Sequence, residues 1–200
     1  MKQVLFATEN ESKVNRFKDA LLKYDIQIIS LNDIEKKVQV EETGKNAIEN
    51  ALIKAEAYAN YLDLPVFAMD DTLFIDDVPL EIQPGTNVRR VNNKRLTDEE
   101  MINYYTELVK TYGKNGKLTC RWVYGLAIIN GGTPKTFTWS KDDFYLVDSP
   151  SSKINPGYPL NSISINKKLN KYFTDMTLVE QANSQANDDD AINFLYKNLI

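Results

Sequence analysis

The chain of 200 residues contains no histidine. That excludes Ser-His and Cys-His nucleophilic relays and the usual imidazole-built zinc centres. There is one cysteine, Cys120, so no disulfide closes within the chain and no cysteine-rich metal site exists. No apolar run is long enough to cross a bilayer. The opening "MKQVLFATEN" also lacks the apolar core of a secretion signal, so a cytoplasmic protein without a membrane partner is expected. Cationic excess is missing too. Lys and Arg number 24 against 28 Asp and Glu, a formal net charge of −4, which argues against broad electrostatic capture of nucleic acid. A metal, if used, has to be held by oxygen, which favours the hard cations Mg²⁺ or Mn²⁺.

What is present alternates between strand and helix. "KQVLFAT" (2–8) predicts a short buried strand. "NESKVNRFKDALLKY" follows as a helix, with Val14, Phe17, Leu21 and Tyr24 at helical spacing and Asn10 as N-cap. "IQIIS" (26–30) predicts a second strand. "IENALIKAEAYANYL" predicts a second helix burying Ile48, Leu52, Ala55, Ala59 and Leu62. "PVFAM" (65–69) is a third strand, expected to end where two acids begin. This order argues an α/β fold with parallel pairing. In the second half, "TDEEMINYYTELVKTY" carries a Thr97/Glu100 capping box and an apolar face of Met101, Tyr105, Leu108 and Tyr112. "KLTCRWVYGLAIIN" and "TPKTFTWSKDDFYLV" predict two long antiparallel strands around "GG", and 149–168 predicts loop. A last helix, "DDDAINFLYKNL", would turn Ile192, Leu195 and Leu199 inward. With no linker or repeat, residues 1–200 read as one domain.

Three stretches carry chemistry. "ATENESK" (7–13) joins a strand to a helix N-terminus, where free N–H groups and the positive dipole end suit an anion. Thr8 and Asn10 can donate to phosphate oxygens and Lys13 adds a mobile positive charge; the alternative is a plain N-cap beside a solvated lysine. In "EETGKNAIENALIKA" (41–55), Asn46, Asn50 and Lys54 recur every fourth residue, flanked by Ala47, Ala51 and Ala55 and preceded by Glu41 and Glu42. That stripe is either a wet face or a site that larger groups can approach closely. "MDDT" sets Asp70 beside Asp71 at the expected carboxyl end of a strand, where α/β sheets place ligands. Adjacent carboxylates repel unless a cation sits nearby. One of them could hold a divalent cation with Glu41 or Glu42 while the other orients a water or a backbone group; the alternative is an exposed turn.

In order and spacing, "FATENESKVNRF", "EETGKNAIENALIKAEAYA" and "PVFAMDDTLFIDDVPLEIQPG" resemble the inosine triphosphate pyrophosphatase family, and "NPGYPL" extends the match more loosely. The resemblance implies an elongated α/β fold: two lobes sharing a long mixed sheet flanked by helices, with the active-site cleft between them. It implies a homodimer that uses Mg²⁺ to cleave a nucleoside triphosphate to the monophosphate and pyrophosphate. By position it implies that Thr8, Asn10 and Lys13 hold the triphosphate. Glu41 and Asp71 would organise the metal, with Glu42 a substitute. Asp71 would also be the base for water, Lys54 would stabilise phosphate charge, and Thr72 would touch the substrate.

The resemblance stops at the base pocket. The family carries an aromatic-Gly-aromatic-Asp-Pro stretch. Here Gly157 and Tyr158 match, while Pro156 and Pro159 replace the first aromatic and the acid. A family Ser-His-Arg signature is absent, with Gln185, Ala186 and Asn187 in its place. Tyr158 and Trp122 could stack on a base instead, and Arg89, Arg90 and Arg95 lie in a loop that could assist. Two other functions stay open: a nucleotide-binding or scaffold homologue without turnover, and a phosphohydrolase of another pyrophosphate-containing metabolite.

Overall fold

The strand that carries the two acids does not stop at them. In the computed structural model, which describes residues 1–35, 37–184 and 188–200, strand β3 runs Val66–Ile75 straight through Asp70 and Asp71. The expected end at residue 69 is therefore a mid-strand position. Leu73, in the continuation, bonds through its backbone N–H and C=O to Gly85, which explains why pairing persists beyond the acids. Successive side chains on a strand point to opposite faces, so the neighbouring carboxylates are sent apart.

The chain divides into two compact units, the first comprising Met1–Asp71, Tyr124–Trp139 and Asp188–Ile200, the second Thr72–Val123 and Ser140–Asn187. In the first, β1 (Lys2–Phe6) leads to α1 (Glu11–Leu22), β2 (Ile26–Ser30) and α2 (Ala47–Ala59), then β3. Strand β1 is central, parallel to β2 with Val4 opposite Ile28 and to β3 with Phe6 opposite Phe67. Alternation sorts the core into two layers. Val4, Phe6, Phe67 and Met69 pack against Val14, Phe17 and Leu21 of α1 and against Ala191, Leu195 and Leu199 of α5 (Asp189–Leu199). Leu5, Ala7, Val66 and Ala68 pack on the other side, against Ala51, Ala55 and Tyr58 of α2. Phe6 stacks on Phe67 with centroids 4.2 Å apart, and Phe17 meets both rings edge-on.

Helix α2 buries a different face from the one its larger residues predict. Ala47, Asn50, Ala51, Ala55 and Tyr58 are covered, whereas Ile48, Leu52, Ala59 and Leu62 are only partly so. Small side chains let the helix sit low on the sheet, and a glycine beneath it makes the same allowance. A Cβ added to Gly125 would lie 2.5 Å from the Ile48 nitrogen and 2.6 Å from the Ala47 carbonyl carbon.

The second unit holds β4 (Arg90–Val91), β5 (Lys94–Arg95), α3 (Asp98–Tyr112), most of β6 (Lys117–Ile129), the end of β7 (Lys135–Lys141), β8 (Phe144–Val147), β9 (Ser164–Asn166), β10 (Lys171–Tyr172) and α4 (Leu178–Ser184). The Thr97/Glu100 capping box forms as expected, and Met101, Tyr105 and Leu108 are buried with Leu73, Ile75, Leu118 and Phe144. The second of the two predicted long strands is broken at Asp142-Asp143 into β7 and β8, both paired with β6. The stretch expected as loop contains a 3-10 turn at Pro159–Ser162 and β9. The main sheet runs β10-β9-β8-β6-β3-β1-β2, with β7 also on β6. It is mixed, with parallel pairs around β1 and antiparallel pairs around β8. Among the described residues no helix is long and apolar enough to cross a membrane.

Because the Cβ at position 125 would meet backbone rather than flexible side-chain ends, Gly125→Ala is expected to cost about 1–3 kcal/mol by overpacking. A urea titration reads this, and a midpoint equal to that of the unaltered protein would show that α2 does not rest on the sheet there.

Candidate active site

Helix α1 begins with Asn10, whose side-chain oxygen accepts from the Ser12 and Lys13 backbone N–H groups at 2.9 and 3.4 Å. Thr8 Oγ1 accepts from the Asn10 N–H at 3.1 Å. The N-cap reading of this stretch is thus realised, and Asn10 satisfies two of the N–H groups that an anion would otherwise meet. Lys13 does not extend into solvent. Its Nζ lies 2.5 Å from Asp71 Oδ1 and 3.9 Å from Asp70 Oδ1, with 19% of the side chain exposed. The contact to Asp71 is ionic without the angles of a directed hydrogen bond, and Oδ1 is otherwise buried without a donor.

The polar stripe of α2 meets the other acid. Asn50, buried, donates from Nδ2 to Asp70 Oδ2 at 2.9 Å and accepts the Gly44 N–H at 2.7 Å. Lys54 Nζ bridges Asp70 Oδ1 at 3.1 Å and Glu42 Oε2 at 3.0 Å, with 14% of the lysine side chain exposed. Gly44 has to be glycine, since a Cβ there would sit 2.5 Å from Asn50 Oδ1 and 2.7 Å from the Asn50 nitrogen. Asn46 caps the helix through the Glu49 N–H. The pleat therefore turns Asp71 toward Lys13 and Asp70 toward Asn50 and Lys54, and Lys13 reaches both acids.

Behind Asp71, on the same face as α1, lies a second cluster. Arg16 makes a two-pronged ion pair with Asp188, Nε and Nη2 each 2.6 Å from a carboxylate oxygen. Its guanidinium carbon lies 4.4 Å from the Tyr124 ring centroid. Burial works against the Arg16 charge, but the Asp188 hydrogen bond and the charges of Tyr124, Asp188 and Asp71 outweigh it and raise its pKa. Burial likewise raises the Tyr124 phenol above its ordinary value, Arg16 opposes this, and Asp71 and Asp188 add to it. In the second unit, burial pushes the Cys120 thiol up to about 12, which leaves it protonated at neutral pH.

The other expected residues are placed as follows. Glu41 is exposed and makes no ion pair among the described residues, whereas Glu42, read as its substitute, reaches Lys54. Among the described residues no three acids form a ready-made metal cluster, so Glu41, Glu42 and Asp71 are not gathered as one ligand set. Thr72 is buried, and its hydroxyl has no hydrogen-bond partner among the described residues. Tyr158 is 41% exposed in the second unit. Arg89 is committed rather than available: it donates to Asp98 at 2.6 Å and to the Gly157 carbonyl at 3.1 Å, while Asp98 accepts the Gly157 N–H at 2.7 Å. Gln185, Ala186 and Asn187 lie outside the described residues. Arg16 and Asp188 belong to no motif of their own in the sequence. Arg16 follows Lys13 by one helical turn and Asp188 opens the acidic run of the last helix, and neither pattern by itself marks a pair.

Residues 4–185 match the Ham1 family, to which the chain belongs. Among curated relatives, the dITP/XTP pyrophosphatase of Bacillus subtilis (strain 168) is 30% identical over 197 residues, covering 98% of this chain and 96% of the relative. The dITP/XTP pyrophosphatase of Wigglesworthia glossinidia brevipalpis is 29% identical over 181 residues, covering 90% and 89%. Among solved structures, the Staphylococcus aureus Ham1 protein superposes with a TM-score of 0.76 at 23% identity, over 98% of this chain and 97% of that one. The family resemblance and the mixed α/β sheet flanked by helices are both borne out.

The Gly157 N–H and the Arg89 guanidinium hold the Asp98 carboxyl below its ordinary value. A depressed carboxyl stabilises the fold above the unfolded-state pKa, and the contribution is lost as pH falls through the folded value. The urea midpoint is therefore expected to fall more steeply between about pH 5 and pH 3 than that of Asp98→Asn. Equal slopes would show that the carboxylate does not hold the loop.

Proposed function

We propose that the protein hydrolyses a nucleoside triphosphate to the monophosphate and pyrophosphate. The observation that carries this reading is the quartet of Lys13, Lys54, Asp70 and Asp71, in which ammonium groups from two helices flank two mid-strand carboxylates. The dITP/XTP pyrophosphatase names of relatives matched over nearly the whole chain support it, and suggest inosine- or xanthosine-type bases. Phosphoryl and nucleotidyl transfer needs positioning and charge neutralisation more than covalent help, so a site without histidine suffices. Lys13 and Lys54 would exchange their carboxylate partners for phosphate oxygens. Asp70, fixed by Asn50, would keep Lys54 directed at the substrate. Asp71 Oδ1, relieved of Lys13, would accept the proton of the attacking water.

The residues present fit a hard divalent cation. The donors are all oxygen, and Asp71 Oδ1 is buried without a directed hydrogen bond. The carboxylates Asp70, Asp71 and Glu42 outnumber the ammonium groups by one. Mg²⁺ commonly takes only one or two carboxylates and completes its shell with phosphate and water. Asp71 would hold it, with Glu41 or, in its place, Glu42 brought in as the family resemblance implies, and Mn²⁺ could substitute. When bound, the cation supplies charge neutralisation for the phosphates and acidifies the water. A homodimer, a cytoplasmic location and a role for Thr8, Asn10, Thr72 and Tyr158 at the substrate belong to the same proposal and rest on the family resemblance.

Assays with ITP, XTP, dITP and the common nucleotides, scored separately for pyrophosphate and orthophosphate, test the proposal. Pyrophosphate is expected as first product, abolished by EDTA and restored by Mg²⁺. Asp71→Asn is expected to lower kcat by about 100-fold or more, as loss of a positioned base does. Orthophosphate as first product would discard the mechanism, and metal-dependent nucleotide binding without turnover would favour the scaffold alternative.

A further inference from the structure

The Arg16 cluster is unused by the chemistry above, and it is unusually well built. Arg16 and Lys13 stand three residues apart on α1, so they share a face. The Arg16 and Asp188 side chains are 14% and 6% exposed. The guanidinium lies over Tyr124 and also 5.5 Å from the Trp139 centroid. Trp139 Nε1–H donates to the same Asp188 Oδ1 at 3.3 Å. Asp188 occupies the N-cap position of α5 yet makes no side-chain cap bond there. An aspartate that could cap its own helix is instead directed to α1. A buried ion pair adds little stability over an apolar replacement, because desolvation offsets the attraction. Its planar, forked geometry fixes orientation far more strictly than a hydrophobic contact would.

Orientation is what Lys13 lacks by itself. It has a flexible four-carbon stem, and its Nζ has to reach Asp71 at one level of the sheet. Val14, Phe17 and Leu21 hold α1 down on the core, but apolar contacts tolerate small rotations about the helix axis. We propose that Arg16, clamped by Asp188 against the stacked rings of Tyr124 and Trp139, is a positioning residue that sets the rotation of α1 and so aims Lys13 at the triphosphate. This deepens the pyrophosphatase reading and rests on it for the identity of the ligand.

The test is a thermodynamic cycle with inorganic tripolyphosphate and Mg²⁺, read by calorimetry so that no turnover is needed. Arg16→Met/Asp188→Leu removes both buried charges and is expected to stay folded. Its affinity for tripolyphosphate is expected to fall by about tenfold, consistent with misplacing one charged contact. Adding Lys13→Met to it is expected to cost little more, whereas Lys13→Met in the unaltered protein costs the full amount. In turnover, KM for the nucleotide is expected to rise more than kcat falls. Arg16→Lys keeps the charge but not the fork, and is expected to weaken binding as well. It replaces the double variant should that one fail to fold. Tripolyphosphate affinity within twofold of the unaltered protein, with an undiminished Lys13→Met effect, would reduce the clamp to a stability element and overturn the proposal. If the unaltered protein releases pyrophosphate from nucleotides while the cycle shows no coupling, the positioning role falls and the enzymatic reading stands. If coupling appears without turnover, the reverse holds. Failure of the unaltered protein to bind tripolyphosphate overturns the positioning role outright.

Discussion

The site depends on the two-residue period of a single strand. Because β3 continues through Asp70 and Asp71, the pleat directs one carboxylate to the α2 side and the other to the α1 side. Had the strand ended at residue 69, the acids would have shared a turn and repelled each other. Instead each meets a lysine from a separate helix, and Lys13 touches both. Helices on opposite sides of the sheet are thereby tied to one pair of side chains.

That arrangement also resolves the charge problem within the chain. The buried stretch Val66–Met69 delivers two negative charges into a partly covered space, where an unpaired carboxylate is costly. Lys13 and Lys54 act as internal counterions. On the proposed function they are exchangeable ones, since a triphosphate offers ammonium groups the same partner chemistry as a carboxylate. Asn50 is the fixed member. Its amide is held by Gly44 on one side and Asp70 on the other, so Asp70 keeps its orientation when its lysines let go.

Local signals made much of this legible. Asn10 as a cap, the Thr97/Glu100 box, the strand at 26–30 and the inward Leu195 and Leu199 follow from spacing and short-range chemistry, and the structure reproduces them. Lys13, Lys54 and the Asp pair came out of motif order, and the structure brings them together. What could not be read depends on distance along the chain. Arg16 and Asp188 are 172 residues apart, and no local pattern marks such a pair. Which of Glu41 and Glu42 faces Lys54 depends on irregular backbone, where neither period applies. Hydrophobic size points to Ile48 and Leu52 for the buried face of α2, whereas close approach over Gly125 selects alanines. Paired acids look like the end of a strand, and β3 continues through them because its counterions come from distant parts of the chain.

The loop around Tyr158 is gripped by its main chain. Arg89 takes the carbonyl of Gly157 and Asp98 takes its N–H, so neither hold involves a side chain of the loop. Gly157 itself is fixed in kind by a φ of +81°. A segment anchored in this manner keeps its seat through backbone atoms that every residue possesses, so its position is set by Arg89 and Asp98 rather than by what it displays.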